Sequence, residues 1–162
     1  MIQHTLDWYN GEVFEGKIIF IFGVLLIISA FICHYYGSSA GTKALTIPLL
    51  VMGLFFAGTG ASMNFINLKK IKRVPDISDQ NRNSYILSEL TRVNGFQYLY
   101  PLSIAVCLAC FLIASALLYF ARNAHFQAIA VGLILLGAGL TVIDYFSKER
   151  AAVYRAALEL QL

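Results

Sequence analysis

Four stretches of the chain carry apolar residues at nearly every position, and the polar residues gather between them. They run from about Ile18 to Tyr36, Ala44 to Ile66, Tyr98 to Ala121 and Phe126 to Phe146. A hydrocarbon layer of about 30 Å takes roughly 20 residues of helix to cross, so each stretch is long enough. Backbone N–H and C=O groups in lipid must find partners within their own segment, which makes each stretch a helix. The pattern predicts an all-α fold: a polytopic membrane protein forming a four-transmembrane-helix bundle of two antiparallel hairpins. The whole of residues 1–162 reads as a single membrane domain.

The connections differ in length. Gly37 to Lys43 (GSSAGTK) is short and rich in turn formers, and Arg122 to His125 (RNAH) is shorter. Each predicts a tight hairpin. The middle connection, Asn67 to Gln97, is long and polar. It opens on the basic run Lys69, Lys70, Lys72, Arg73 and meets a helix stop at Pro75. Ser78 or Asp79 then predicts a helix cap, and Ile86, Leu90 and Val93 give the next helix one apolar face. That helix is expected at the membrane interface, running into the third span with Pro101 in its first turn. The tail, residues 147–162, reads as an extension of the fourth span with Val153, Ala157 and Leu160 on one stripe.

Composition agrees with the pattern. The chain is 59% hydrophobic and 13% charged, against about 45–50% and about 25% in an average soluble domain. The net charge is +3, and its distribution carries the information. Ten of the twelve Lys and Arg residues lie in the N-terminal segment, the middle connection and the tail; Lys43 and Arg122 alone lie in the two hairpin loops. The positive-inside bias predicts both termini and the middle loop in the cytoplasm. Trp8, Tyr9 and Phe14 are expected to anchor one interface, and Tyr35, Tyr36, Tyr119 and Phe120 the other. The first fifteen residues hold Asp7, Glu12 and Glu15 but no Lys or Arg, unlike a cleaved signal peptide. No basic patch is interleaved with aromatics outside the spans, so no nucleic-acid partner is expected.

The two hairpins look alike. Shifted by 79 residues, Gly53, Gly58, Gly60, Ser62 and Lys69 match Gly132, Gly137, Gly139, Thr141 and Lys148. Shifted by 84, Asn10-Gly11 matches Asn94-Gly95 and Tyr35-Tyr36 matches Tyr119-Phe120. A duplication would give the second and fourth spans equivalent roles. Gly58, Gly60, Ser62, Gly137, Gly139 and Thr141 form small-residue faces, suited to close helix contact inside the bundle or to a partner. Asp144 and Asn64 sit near the ends of their spans and complete the set of partner-binding or packing candidates. Asp144 is spaced to pair with Lys148, and His34 is placed to reach interfacial water. No metal-ligand spacing, nucleophile–base pair or phosphate loop occurs, so no catalytic, cofactor-binding or metal residue is predicted.

Three resemblances bear on function. Cys107-Leu108-Ala109-Cys110 is similar to the C-x-x-C of the vitamin K epoxide reductase family, but this pair lies well inside a span and no loop cysteine accompanies it. Arg92-Val93-Asn94 with Gln97 and Tyr98 resembles the Arg/Asn/Glu motif of the microsomal glutathione transferases, although it opens the third span and has Gln for Glu. Trp8-Tyr9-Asn10-Gly11-Glu12, Ile47-Pro48-Leu49-Leu50 and Asp144 to Ala151 (DYFSKERA) resemble small four-span bacterial inner-membrane proteins that act as immunity proteins to secreted toxins. That last resemblance implies a non-catalytic binder that neutralises a membrane-active toxin by contact. Its partners would be the lipid bilayer and a protein, either the toxin or a second copy of the chain. A thiol-redox or glutathione-transferring membrane enzyme and a small oligomeric transporter stand as alternatives.

Overall fold

The computed structural model describes residues 2–74 and 82–160. Six helices follow one another among the described residues: α1 (Ile2–Tyr36), α2 (Ala40–Ala44), α3 (Thr46–Arg73), α4 (Arg82–Phe96), α5 (Leu99–Phe120) and α6 (Ala124–Glu159). No strand occurs among the described residues. Four helical stretches, Gln3–Tyr36, Ala40–Arg73, Asn83–Phe120 and Ala124–Glu159, are long and apolar enough to cross a membrane. The protein is an all-α, multi-pass membrane protein built as a four-helix bundle.

The helices overrun the apolar stretches. The first hairpin loop shrinks to three residues, because Ser39 accepts a hydrogen bond from the Thr42 N–H at 3.1 Å and starts α2 at Ala40. Seven loop residues were expected there; the cap converts the last four into helix. Asn123 does the same for α6, accepting from the His125 N–H at 2.9 Å. The basic run Lys69 to Arg73 is also helical, as the end of α3. Helix α4 forms with Ile86 and Val93 fully buried. The expected stop at Pro75 and cap at Ser78 or Asp79 lie outside the described residues. Pro101 sits in the first turn of α5, where its missing N–H costs no helical bond.

Helices α1 and α3 form the closest pair. Along α1, positions 9, 16, 23 and 30 face inward as Tyr9, Gly16, Gly23 and Ala30; along α3, positions 53, 60 and 67 do so as Gly53, Gly60 and Asn67, and Val74, just past its end, continues the row. A seven-residue recurrence keeps one seam in register along two antiparallel helices. The glycines set how close they come. A Cβ on Gly60 would stand 2.5 Å from the Gly16 carbonyl oxygen, and one on Gly23 would stand 2.7 Å from that of Gly53. Helix α6 packs on this pair through its own glycines, Gly132 over Pro48 and Gly139 over the Phe56 ring. Helix α5 packs mainly on α6, with the Phe111 ring over Gly137. The second and fourth spans therefore do different work: the matched glycines Gly53 and Gly132, or Gly60 and Gly139, meet unlike neighbours.

A second core lies beyond the apolar stretches. Trp8, Tyr9, Val74, Ile86, Val93, Tyr100, Ala151, Tyr154 and Leu158 are buried against one another. Both chain ends and α4 thus meet at one end of the bundle, and the two hairpin links lie at the other. Trp8 and Tyr9 are not interfacial anchors; Trp8 stacks on Tyr154 with ring centroids 5.1 Å apart. Phe14, by contrast, stays exposed. The buried stripe of the tail is Ala151, Tyr154 and Leu158, whereas of the expected stripe Val153 and Leu160 point outward and Ala157 is half-buried. The expected stripe had the right period on the wrong face, since its partners, α4 and the start of α1, approach from the other side.

Candidate functional site: a crevice between the first and last helices

Helix α1 and helix α6 diverge enough to leave a groove of about 540 Å³. Its walls are Ile18, Phe22, Leu135, Val142 and Phe146, and Phe56 of α3 forms its floor. One end is closed by charge. Arg150 of α6 reaches across to Glu12 of α1, Nη2 to Oε1 at 3.0 Å, and the same nitrogen forms an ion pair with Glu15. Gly11 makes room for this, since a Cβ there would stand 3.1 Å from Arg150 Cδ. Two atoms of the cluster are buried without a hydrogen-bond partner: Glu15 Oε1 and Arg150 Nε. Past Arg150 and Phe146 the groove continues into a cleft of about 430 Å³ that His4, Asp7, Trp8 and Glu149 help to line. The whole crevice is apolar at span depth and acidic at its end.

A separate groove of about 380 Å³ lies between α5 and α6. Tyr100, Cys107, Thr141, Asp144 and Lys148 all line it, and the Tyr100 hydroxyl lies 3.4 Å from Ser147 Oγ. Asp144 and Lys148 do not close to an ion pair, although their four-residue spacing permits one. Cys107 and Cys110 are buried free thiols on the inner face of α5.

The remaining candidates fall in different places. Gly60 is sealed against α1, and Gly139 sits on Phe56 at the wall of the first groove. Gly137 meets Phe111, and the Thr141 hydroxyl donates back to the Gly137 carbonyl at 2.7 Å. Asn64 is half-buried against Gly16, with Oδ1 lacking a partner. Gly58 and Ser62 are exposed, and a Cβ on Gly58 would meet nothing within 4 Å. A spacing of two residues turns a helix through about 200°, so Gly58 and Gly60 cannot share a face. His34 is exposed beside Tyr35.

The second core has a polar centre of its own. Glu89 is 7% exposed and takes a hydrogen bond from Arg92 Nη2 at 2.6 Å. The Tyr154 hydroxyl lies 3.1 Å from the same carboxylate and 3.2 Å from Thr5 Oγ1, and the Tyr9 hydroxyl lies 3.4 Å from it. Burial pushes both phenols up from the ordinary tyrosine range, and the Glu89 charge adds to the shift, so they remain neutral donors. Burial and the neighbouring Arg92 pull the Lys70 ammonium down; it lies over the Tyr9 ring at 5.6 Å. This knot joins α1, α4 and α6.

No family model matches the chain, and no curated protein or solved structure does so either. No group of three or more His, Cys, Asp or Glu suited to a metal ion occurs among the described residues.

Sequence reading missed Glu15, Glu12 and Arg150. The hint was an acidic pair three residues apart immediately before the first span. Its partner lies 135 positions from Glu15, and local spacing carries no information about such a pair.

Proposed function

We propose that the chain is a non-catalytic binding protein of a bacterial inner membrane, with both termini in the cytoplasm, and that it serves as an immunity protein by seizing a membrane-inserted segment of a toxin. The observation that carries this reading is the uncovered face of α3 at Gly58 and Ser62. Seven other glycines of the spans, at positions 16, 23, 53, 60, 132, 137 and 139, lie against a neighbouring helix or ring. Gly58 faces open space, with the exposed Ser62 one turn along. Two small residues four apart let a second helix approach closely in lipid, where packing rather than hydrophobicity drives association. The orientation is supported by the Lys and Arg bias toward the end where the termini meet.

The test pairs the chain with the product of the neighbouring gene. Co-expression is expected to relieve that product's toxicity, and the two are expected to co-purify in mild detergent. Gly58→Leu and Ser62→Leu should abolish both effects while leaving the amount of inserted protein unchanged. Full protection by these variants, or neither protection nor a complex with the natural sequence, overturns the reading.

A further inference from the structure

We infer that the α1–α6 crevice is a lipid site that selects a phospholipid with a primary-amine, phosphoethanolamine-type head. It stands apart from the proposed toxin face on α3, and neither depends on the other.

Two charged side chains at the end of the crevice have unmet bonds. Glu15 is 7% exposed, and its Oε1 is buried without a partner. Arg150 Nε, in the same cluster, is a buried donor without an acceptor. Leaving charged groups unsatisfied away from water is expensive, and such groups call for an explanation. Both belong to side chains that line the charged end of the apolar groove. A ligand that satisfies both must offer an acceptor beside a donor, at the end of an apolar tail.

The size of the groove, about 540 Å³, falls in the range of roughly 300–1,000 Å³ typical of small-molecule sites. A membrane lipid meets both demands. Its tail lies along Ile18, Phe22, Val142 and Phe146, and its phosphate accepts from Arg150. Its ammonium donates to Glu15 and reaches toward Asp7 and Glu149 in the adjoining cleft.

Charge decides among lipids. The crevice gathers the carboxylates of Asp7, Glu12, Glu15 and Glu149 around the single guanidinium of Arg150, in a chain whose net charge is +3. An anionic head is repelled there. A choline head carries the positive charge but has no N–H to give Glu15. A primary ammonium supplies both.

The experiment is native mass spectrometry of the full chain, stripped of lipid in detergent and titrated with dioleoyl phosphatidylethanolamine, phosphatidylcholine or phosphatidylglycerol. One equivalent of the ethanolamine lipid is expected to bind roughly tenfold more tightly than the choline lipid, as loss of one charge-assisted hydrogen bond implies, with the glycerol lipid weakest. Glu15→Gln should erase the preference. Glu149→Gln, which leaves the ion pair intact, should reduce it. Ala138→Phe, which fills the groove from its wall, should weaken all three lipids alike and leave their order unchanged. Equal binding of the three lipids overturns the inference. So does a preference that survives both carboxylate variants, or binding that Ala138→Phe does not weaken. None of these outcomes touches the toxin assay, which reads Gly58 and Ser62.

Discussion

Gly11 decides how Arg150 lies. With no Cβ on α1 at that point, the Arg150 stem crosses the helix and brings its guanidinium onto two carboxylates one turn apart. Taking a charge from such a pair leaves the other stranded, and this costs more than the pair itself contributes. Arg150→Met should therefore destabilise the protein by about 2–3 kcal/mol, toward the low side for a buried pair because the Arg150 side chain is 28% exposed. The triple substitution Arg150→Met, Glu12→Met and Glu15→Met should recover most of that loss. Unfolding curves in mixed detergent check both. A triple variant weaker than the single one would show that the ions hold the helices together by more than mutual compensation.

At the scale of the helix, one residue type does opposite things on one element. Gly53 and Gly60 of α3 face the Gly23 and Gly16 backbone of α1, whereas Gly58 faces nothing. Gly23→Ala should force the α1–α3 seam apart, because its new methyl meets the Ala57 backbone and not a movable side chain. The expected loss is about 1–3 kcal/mol. Gly58→Ala should be neutral or stabilising by up to about 1 kcal/mol, since a helix-interior glycine is replaced where there is room. Thermal unfolding of the two variants reads this difference in sign directly. Hydropathy made the helices themselves legible in the sequence. The seam is marked by glycines seven apart at 16, 23 and at 53, 60, but the shorter spacing at 58, 60 and 62 hides it by mixing two faces. The Ala151, Tyr154, Leu158 stripe was harder to read. In a tail of mixed polarity several stripes have helical period, and only the position of α4 and the start of α1 selects among them.

At the scale of the molecule, the four spans were legible because lipid imposes one solution on any long apolar segment. The second core was not, because its parts come from residues 5–9, 74, 86–100 and 151–158. Each part alone resembles an ordinary polar flank. Only the Glu89 knot, with Tyr9, Tyr154 and Arg92 around it, shows that the flanks fold on one another. Four crossings would put the hairpin links and the chain ends on opposite sides of the membrane. Cysteines placed at Ser38 and at Ala156 in a cysteine-free background should react with a membrane-impermeant thiol reagent from opposite sides of the membrane. Labelling of both from one side would rule out four crossings.

The capped turns at Ser39 and Asn123 leave three residues between helices in each hairpin link. Little is therefore displayed at that pole. A protease arriving there would find almost no extended peptide to bind, and an antibody no epitope of useful size. Affinity tags therefore belong on the chain ends.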